Sequence, residues 1–522
     1  MNKALFRAGF LLLTLVLLLS SMGTSGALAA TPSTIRIYLD DKPVESDVPP
    51  FIIKNINVTM VPLAVISKYL GAGVSWSQSN KTASITKDGL VLSMKIGQKF
   101  ALADGQRIDL ETSVQAIGGR VMVPLRFVSN QLKLDVTWYQ SAQTIKLRTK
   151  EGLADTSLKG AWVSTVYNLD WPTSGSYGNS ARQQQEFVQM LDELQGMGIN
   201  TAIVQVRPSA DSFYPSQLVP WSRFLTGKQG QAPDYDPLAF MIAETHRRGM
   251  SFQAWFNPFR ANTGEKTADL ASNHVSVLHP DWIVQSGSKM YINPGIPEAR
   301  QHIIDVVMEV VKNYEIDGVH LDDYFYPSDG VFDDDATYST YNAGGISNKG
   351  DWRRDNINQF VRQLGQSIHQ AKPQVQFGIS PFGVWRNQTM DLTGSDTKAG
   401  VTAYDNMYAD VRTWIQQEWI NYVAPQIYWS MSLNVARYDK LVDWWANEVR
   451  GTNVKLYIGH SPYKIGTTEA GWSSAQEIIN QLVYNKNYFE VKGDIYFSAK
   501  DLRRNPLGLI PLLQTYYKVV KP

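Results

Sequence analysis

The 522-residue chain contains no cysteine. That absence removes disulfide scaffolding, thiol nucleophiles and cysteine-linked lipid anchors together. Neither sign of charge is in excess, with 49 Lys and Arg against 48 Asp and Glu, so no basic field predicts nucleic acid as a partner. Beyond residue 19 no run is apolar for long enough to span a bilayer. Also missing are the His/Glu spacing of zinc proteases, a Gly-x-Ser-x-Gly elbow, and a glycine-rich phosphate loop before a helix. Metalloprotease, α/β-hydrolase and nucleotide-enzyme readings are thereby disfavoured, and no cofactor is required by any motif present.

What is plentiful is aromatic surface: 15 Trp and 25 Tyr. Many of these rings must be core, yet flat apolar faces beside polar groups are also what a carbohydrate groove uses. The N-terminus carries an address. Lys3 and Arg7 precede an apolar run from Phe10 to Leu19, and Ala27-Leu28-Ala29 has the small-x-small pattern of a cleavage site. Residues 1–29 are therefore expected to be a secretory signal, leaving a mature protein that is exported and extracellular or associated with the cell wall.

The first folded region is a repeat. Met60-Val61-Pro62-Leu63 recurs as Met122-Val123-Pro124-Leu125, 62 residues on, and the same offset relates Trp76 to Trp138 and Thr82 to Thr144. Three coincidences at one spacing signal an internal duplication. Each unit reads as short strands around a small helix, 62–70 and 124–132, followed by an alternating strand, 82–86 and 144–147. The Val-Pro-Leu-x-x-Val/Ile-Ser pattern at Val61–Ser67 and Val123–Ser129 resembles the copper-amine-oxidase N-terminal-like domain, over residues 32–149. No His or carboxylate cluster accompanies it, so a spacer or wall-binding role is expected in place of copper chemistry.

From about residue 158 strand and helix alternate eight times. The strands are expected at 160–167, 201–208, 251–259, 318–324, 376–385, 422–429, 454–463 and 493–501. Helices are expected near 183–197, 237–248, 297–313, 353–370, 405–418, 436–449, 475–485 and 507–517. Eightfold alternation in about 360 residues predicts an α/β fold, a closed (β/α)8 TIM barrel over residues 158–518, behind the small α+β repeat domain. The long connections 209–236, 260–296 and 327–351 all follow strands, so they belong over the C-terminal face, where such barrels place their chemistry.

Strand alternation nominates inward side chains: Gln205 with Arg207; Gln253, Trp255 and Asn257; His320, Asp322 and Tyr324; Gln426 with Tyr428; and His460. A ring of polar strand tips made of Arg207, Asn257, Asp322, Tyr324, Tyr428 and His460 would be costly to bury without a use. Trp171, Trp255, Trp385 and Trp429 would add sugar-stacking faces, and His320 is a further polar candidate whose simpler reading is a satisfied interior histidine. Arg207 suggests an anionic or lactyl-bearing group on the substrate, or else an internal carboxylate partner.

Glycoside hydrolysis needs a proton donor to the leaving oxygen and a group that stabilises or traps the oxocarbenium-like centre. Two carboxyls roughly 5–5.5 Å apart imply retention and roughly 6.5–9.5 Å inversion. Asp322 is the groove-facing acid expected here. Asp323, its neighbour on the opposite side of an extended strand, is expected to hold a loop, an arginine or a metal if it is not itself catalytic. A second group would come from Asp170, Asp211, Asp405 or Asp501, or from an N-acetyl group of the substrate. The run Asp329 and Asp333-Asp334-Asp335 reads as a solvated loop, with structural calcium as the alternative.

The matching stretches Asn200–Pro208, Ala254–Pro258, Asp317–Pro327, Ile379–Arg386 and Pro425–Trp429 resemble the glycosyl-hydrolase-like family 10 proteins across nearly the whole barrel. That resemblance implies an exported bacterial hydrolase of O-glycosidic bonds in cell-wall glycan, with peptidoglycan amino-sugar strands as the expected substrate. It carries Arg207, Asn257, Asp322, Asp323, Tyr324, Tyr428 and His460 as expected active-site residues. The stretch departs from the Asp-x-Asp-x-Glu ending of chitinase-like barrels, since Tyr324 stands where their Glu would be. Another extracellular polysaccharide, from biofilm or capsule, is the alternative substrate. A non-catalytic carbohydrate-binding or wall-scaffolding protein is the alternative class.

Overall fold

The structure is a computed structural model. It describes residues 35–519 except 41, 55, 57, 88, 133, 140–142, 150–156, 265, 323–324, 329 and 489. The signal expected at 1–29 lies outside the described residues, as do Asp323, Tyr324 and Asp329. The chain divides into two compact units, residues 1–155 and 156–522.

The first unit is built on its duplication. Strands Val58–Pro62 and Arg120–Pro124 pair antiparallel at the centre of a four-stranded sheet, with Phe51–Ile53 and Gln115–Ile117 outside them. Val61 lies opposite Val123, its own counterpart in the other repeat. Antiparallel pairing of equivalent residues relates the two halves by a pseudo-twofold axis. Each central strand runs into a seven-residue helix, Leu63–Tyr69 or Leu125–Gln131. Each helix leads to a sheet-edge strand, Gly73–Ser77 or Asp135–Tyr139. Met60, Val61, Met122 and Val123 are buried beneath these elements.

The second unit is a closed eight-stranded parallel barrel. Its strands are β1 (Leu158–Val163), β2 (Thr201–Arg207), β3 (Ser251–Phe256), β4 (Gly318–Leu321), β5 (Gln376–Ile379), β6 (Tyr422–Val423), β7 (Lys455–His460) and β8 (Val491–Tyr496). The helices between them include α1 (Ser180–Gly196), α2 (Pro237–Arg247), α3 (Pro297–Asn313), α4 (Lys349–Ala371), α5 (Val411–Gln416), α6 (Tyr438–Val449), α7 (Gln476–Asn485) and α8 (Leu509–Tyr516). All eight strands occur where the alternation predicts them, but every one except β2 stops three to six residues short of its expected end. Beyond those points the chain leaves the ladder to build the rim of the barrel.

Alternation separates two apolar layers. Val163, Val204, Phe256, Val319, Leu321 and Ile379 point outward into the layer shared with the helices. Trp162, Ile203, Trp255, Tyr422, Tyr457 and Ile495 fill the interior. Helix α3 shows the matching period: Ile303, Val307, Val310 and Val311 are buried, Pro297 opens its first turn, and Lys312 sits in its last. Inside the barrel Gly378 is required by its neighbour, because a Cβ there would meet a ring carbon of Tyr422 at 2.0 Å.

The long connections hold structure of their own. The one after β3 carries a three-stranded sheet, Arg260–Asn262, Lys289–Ile292 and Ile283–Ser286. The one after β4 carries the helix Asp335–Tyr341. Two members of the acidic run there are paired with cations: Asp334 is buried and pairs with Arg353 and Lys349, both at 2.6 Å, and Asp335 also binds Lys349.

Candidate active site

At the C-terminal mouth of the barrel lies a cavity of about 390 Å³, lined among others by Trp162, Gln205, Trp255, Asp322, Ser380 and Tyr428. Among the described residues Asp322 is the one carboxylate in the lining. It follows β4 directly and continues the inward side of Gly318 and His320.

A hydrogen-bond relay sets the orientation of Asp322. The backbone N–H groups of Thr165 and Val166 donate to Gln205 Oε1 at 2.9 and 2.8 Å. Backbone nitrogens can only donate, so this amide oxygen must face them. Gln205 Nε2 is thereby left to donate to Asn257 Oδ1, and Asn257 Nδ2 to donate to Asp322 Oδ2. Each donor in this chain polarises the next, and Thr165, Gln205, Asn257 and Asp322 are all buried. Asn257 therefore acts on the acid without lining the cavity.

Beneath the floor, His320 is fully buried. The Trp162 indole N–H donates to its Nε2 at 2.9 Å, which puts the ring proton on Nδ1. Nδ1 then donates to Tyr422 Oη at 2.8 Å, and Tyr422 donates to Gln253 Oε1 at 2.6 Å. Burial pushes the imidazole down to about 3, so it is neutral and structural at physiological pH.

The walls supply apolar faces and hydroxyls. Tyr428 stacks on Phe497 at 6.2 Å, and Tyr463 stands edge-on to both at 6.1 and 6.3 Å. Ser164, Ser380 and Gln426 add polar groups, and half-buried Arg260 adds a cation. Flat rings interleaved with hydrogen-bonding groups around one acid suit a pyranose chain better than a charged or wholly apolar ligand.

Several residues nominated by alternation lie elsewhere. A bulge breaks the β2–β3 register: Gln205 pairs with inward Trp255, but Arg207 pairs with outward Phe256. Arg207 is thus fully buried outside the cavity, donating from Nη1 to the carbonyls of Asn257 and Pro258 at 2.5 and 3.0 Å. His460 also faces outward, because on β7 it is Gly459 that pairs with interior Ile495. Its two ring nitrogens meet Gln481 Oε1 at 2.9 Å and Asp494 Oδ1 at 2.8 Å. Trp385 is stacked on Trp444 at 5.5 Å, beneath the Arg412 guanidinium at 4.7 Å. Trp429 sits edge-on behind Phe382 at 5.7 Å, and Phe382 rather than Trp429 reaches the lining. Trp171 is core, donating to the Gln183 carbonyl at 2.9 Å.

None of the four alternative acids lines the cavity. Burial pushes Asp170 up to about 6, against hydrogen bonds from Ser498, Lys500 N and Ser164 N that clamp the β1 and β8 loops together. Burial likewise pushes Asp211 up to about 6. Asp405 pairs with Arg386 at 2.8 Å and Asp501 with Arg504 at 3.0 Å. Among the lining residues that reading along the chain missed are Trp162, Arg260, Ser380, Phe382, Tyr463 and Phe497. Parity with Gly160 and Ser164, and with Ile495, was the available signal for Trp162 and Phe497; Arg260 and Tyr463 come from loops and had none.

A (β/α)8 barrel with an acid held at the end of β4, in an aromatic-walled cavity on its C-terminal face, defines the glycoside hydrolase class. Comparison with known proteins agrees: the Glycosyl hydrolase-like 10 family matches residues 157–474, and the Copper amine oxidase N-terminal domain family matches residues 38–147. The chain belongs to the Glycosyl hydrolase-like 10 family. It is 51% identical over 368 residues to Glycosyl hydrolase YngK of Bacillus subtilis (strain 168), covering 69% of this chain and 72% of that protein. It is 43% identical over 370 residues to Glycosyl hydrolase DigH of Escherichia coli (strain K12), covering 66% and 84%. Among solved structures, the glycoside hydrolase domain of PgaB (BpsB) from Bordetella bronchiseptica aligns with a TM-score of 0.46 at 12% identity, over 70% of this chain and all of that one.

Proposed function

We propose that this glycoside hydrolase is exported and cleaves O-glycosidic bonds in bacterial cell-wall glycan, with the amino-sugar strands of peptidoglycan as substrate. The observation that carries the reading is Asp322, oriented by the Gln205–Asn257 relay and open to a cavity walled by Trp162, Trp255, Tyr428 and Phe497. In this reading Asp322 exchanges a proton with the glycosidic oxygen while the rings hold the flanking sugars. Asp323, next to it in the sequence, is the second carboxylate of this reading.

The test is mass spectrometry of products from purified, peptide-free wall glycan, comparing the parent chain with Asp322→Asn. Saccharides with new reducing ends are expected from the parent, with a rate about 10³-fold lower in D322N. Equal rates would remove Asp322 from the chemistry. Products from a neutral or deacetylated glycan alone would move the substrate to another extracellular polysaccharide, and binding without turnover would leave a carbohydrate-binding protein.

A further inference from the structure

The first unit carries two grooves that the barrel's chemistry does not use, and they are copies of each other. One, of about 380 Å³, is lined by Leu63, Val74, Trp76 and Val121. The other, of about 440 Å³, is lined by Leu125, Val136, Trp138 and Thr59. Each residue of the second set is the 62-residue counterpart of one in the first. Each groove takes its helix and edge strand from one repeat and its central strand from the other. Neither groove can form without both halves.

In each groove a tryptophan stands on an edge strand with part of its ring open to solvent, Trp138 also packing one side against the core. Trp76 is 44% exposed and its neighbour on the same face, Val74, equally so; Trp138 is half-buried. The indole of Trp76 is held in place, its N–H donating to Gln78 Oε1 at 2.8 Å. Polar groups rim the rings: Ser75 and Gln78 in one groove, Asn130 and Arg126, the latter paired with Glu111 at 2.6 Å, in the other. A fixed flat apolar face bordered by hydroxyl, amide and guanidinium groups is complementary to a sugar ring, with its apolar face and equatorial hydroxyls. A duplicated site suits a ligand that itself repeats.

We propose that this unit is a two-site glycan-binding module, each groove taking a short stretch of the amino-sugar polymer that the barrel is proposed to cleave. The choice of glycan rests on that functional reading, whereas the two sites rest on the repeat and the tryptophans alone. Binding through two linked sites raises apparent affinity by about 100-fold or more over one.

Sedimentation with insoluble, peptide-free wall glycan tests this, using the full chain carrying D322N so that nothing is consumed. Trp76→Ala and Trp138→Ala are each expected to lower apparent affinity about 100-fold. The double variant is expected to retain only the binding of the barrel, and the Trp76→Tyr/Trp138→Tyr pair most of the original affinity. Parent-like sedimentation of the double alanine variant would overturn the proposal, and loss from one tryptophan alone would overturn the two-site claim. Should the alanine variants misfold, the indole Nε1–H resonances of Trp76 and Trp138 in the otherwise native chain decide: both must shift on adding N-acetylglucosamine oligosaccharides, and unmoved signals overturn it. The assay requires no turnover, so failure of the hydrolase reading would be seen separately, as absence of products from the parent.

Discussion

At the scale of single residues, the site is governed by which polar groups are already satisfied. His320 and His460 are both strand histidines of the barrel, and both are consumed by hydrogen bonds within the protein. Asp322 differs in reaching the cavity. The buried histidines leave a mark on stability. His274 accepts the Ser276 backbone N–H on Nδ1 at 3.1 Å as a helix cap, and burial pushes it down to about 4. Its folded value lies below the ordinary 6.5, so between pH 6.5 and 4 the unfolded chain binds a proton that the folded chain does not. Stability is lost as pH falls through that window. His274→Asn keeps a capping acceptor and removes the proton. Urea unfolding at a series of pH values is expected to show the acid-side loss reduced by about 3 kcal/mol in this variant. Asp170 and Asp211, pushed up to about 6, act with the opposite sign, their contribution fading as pH rises through 6. The quantity to read is therefore the difference between variant and parent at each pH.

At the scale of elements, strand geometry decides what faces the substrate. One bulged residue in β2 carries Arg207 out of the mouth of the barrel and leaves Gln205 inside it. Arg207→Met is therefore expected to lower the thermal midpoint, by stripping the Asn257 and Pro258 carbonyls of their donor, without changing KM for wall glycan. Trp255→Ala, by contrast, is expected to raise KM through loss of a lining ring. Comparing KM with Tm for the two variants separates wall from scaffold. The interior of the barrel is as tightly determined. Gly378 lies where any side chain collides with the buried Tyr422 ring. Gly378→Ala is expected to destabilise the barrel by about 3 kcal/mol or prevent its folding, read as a fall or loss of its thermal transition.

At the scale of the whole molecule, two apolar cores are formed from two different sets of residues. One centres on Val61, Ile85, Leu92 and Val123, the other on the strands and helices of the barrel. Calorimetry of the full chain is expected to show two transitions, of which Gly378→Ala moves only the larger. A single transition displaced as a whole by that variant would show the cores to be coupled.

Local pattern along the chain was enough for the eightfold alternation, the duplicated first unit and the acid that follows β4. Each depends on periodicity, a repeat offset or a strand-end position, and these are properties of neighbouring residues. The membership of the cavity was decided only by tertiary structure. Strand parity survives only while the pleat is unbroken, so the β2 bulge misplaced Arg207 and the inward turn of Gly459 misplaced His460. Loop rings such as Tyr463 reach the cavity by paths with no period. Whether a buried polar group is available to a ligand or already bonded inside the protein depends on partners far away in sequence, as Gln205 and Asn257 are for Asp322, and only the folded chain brings them together.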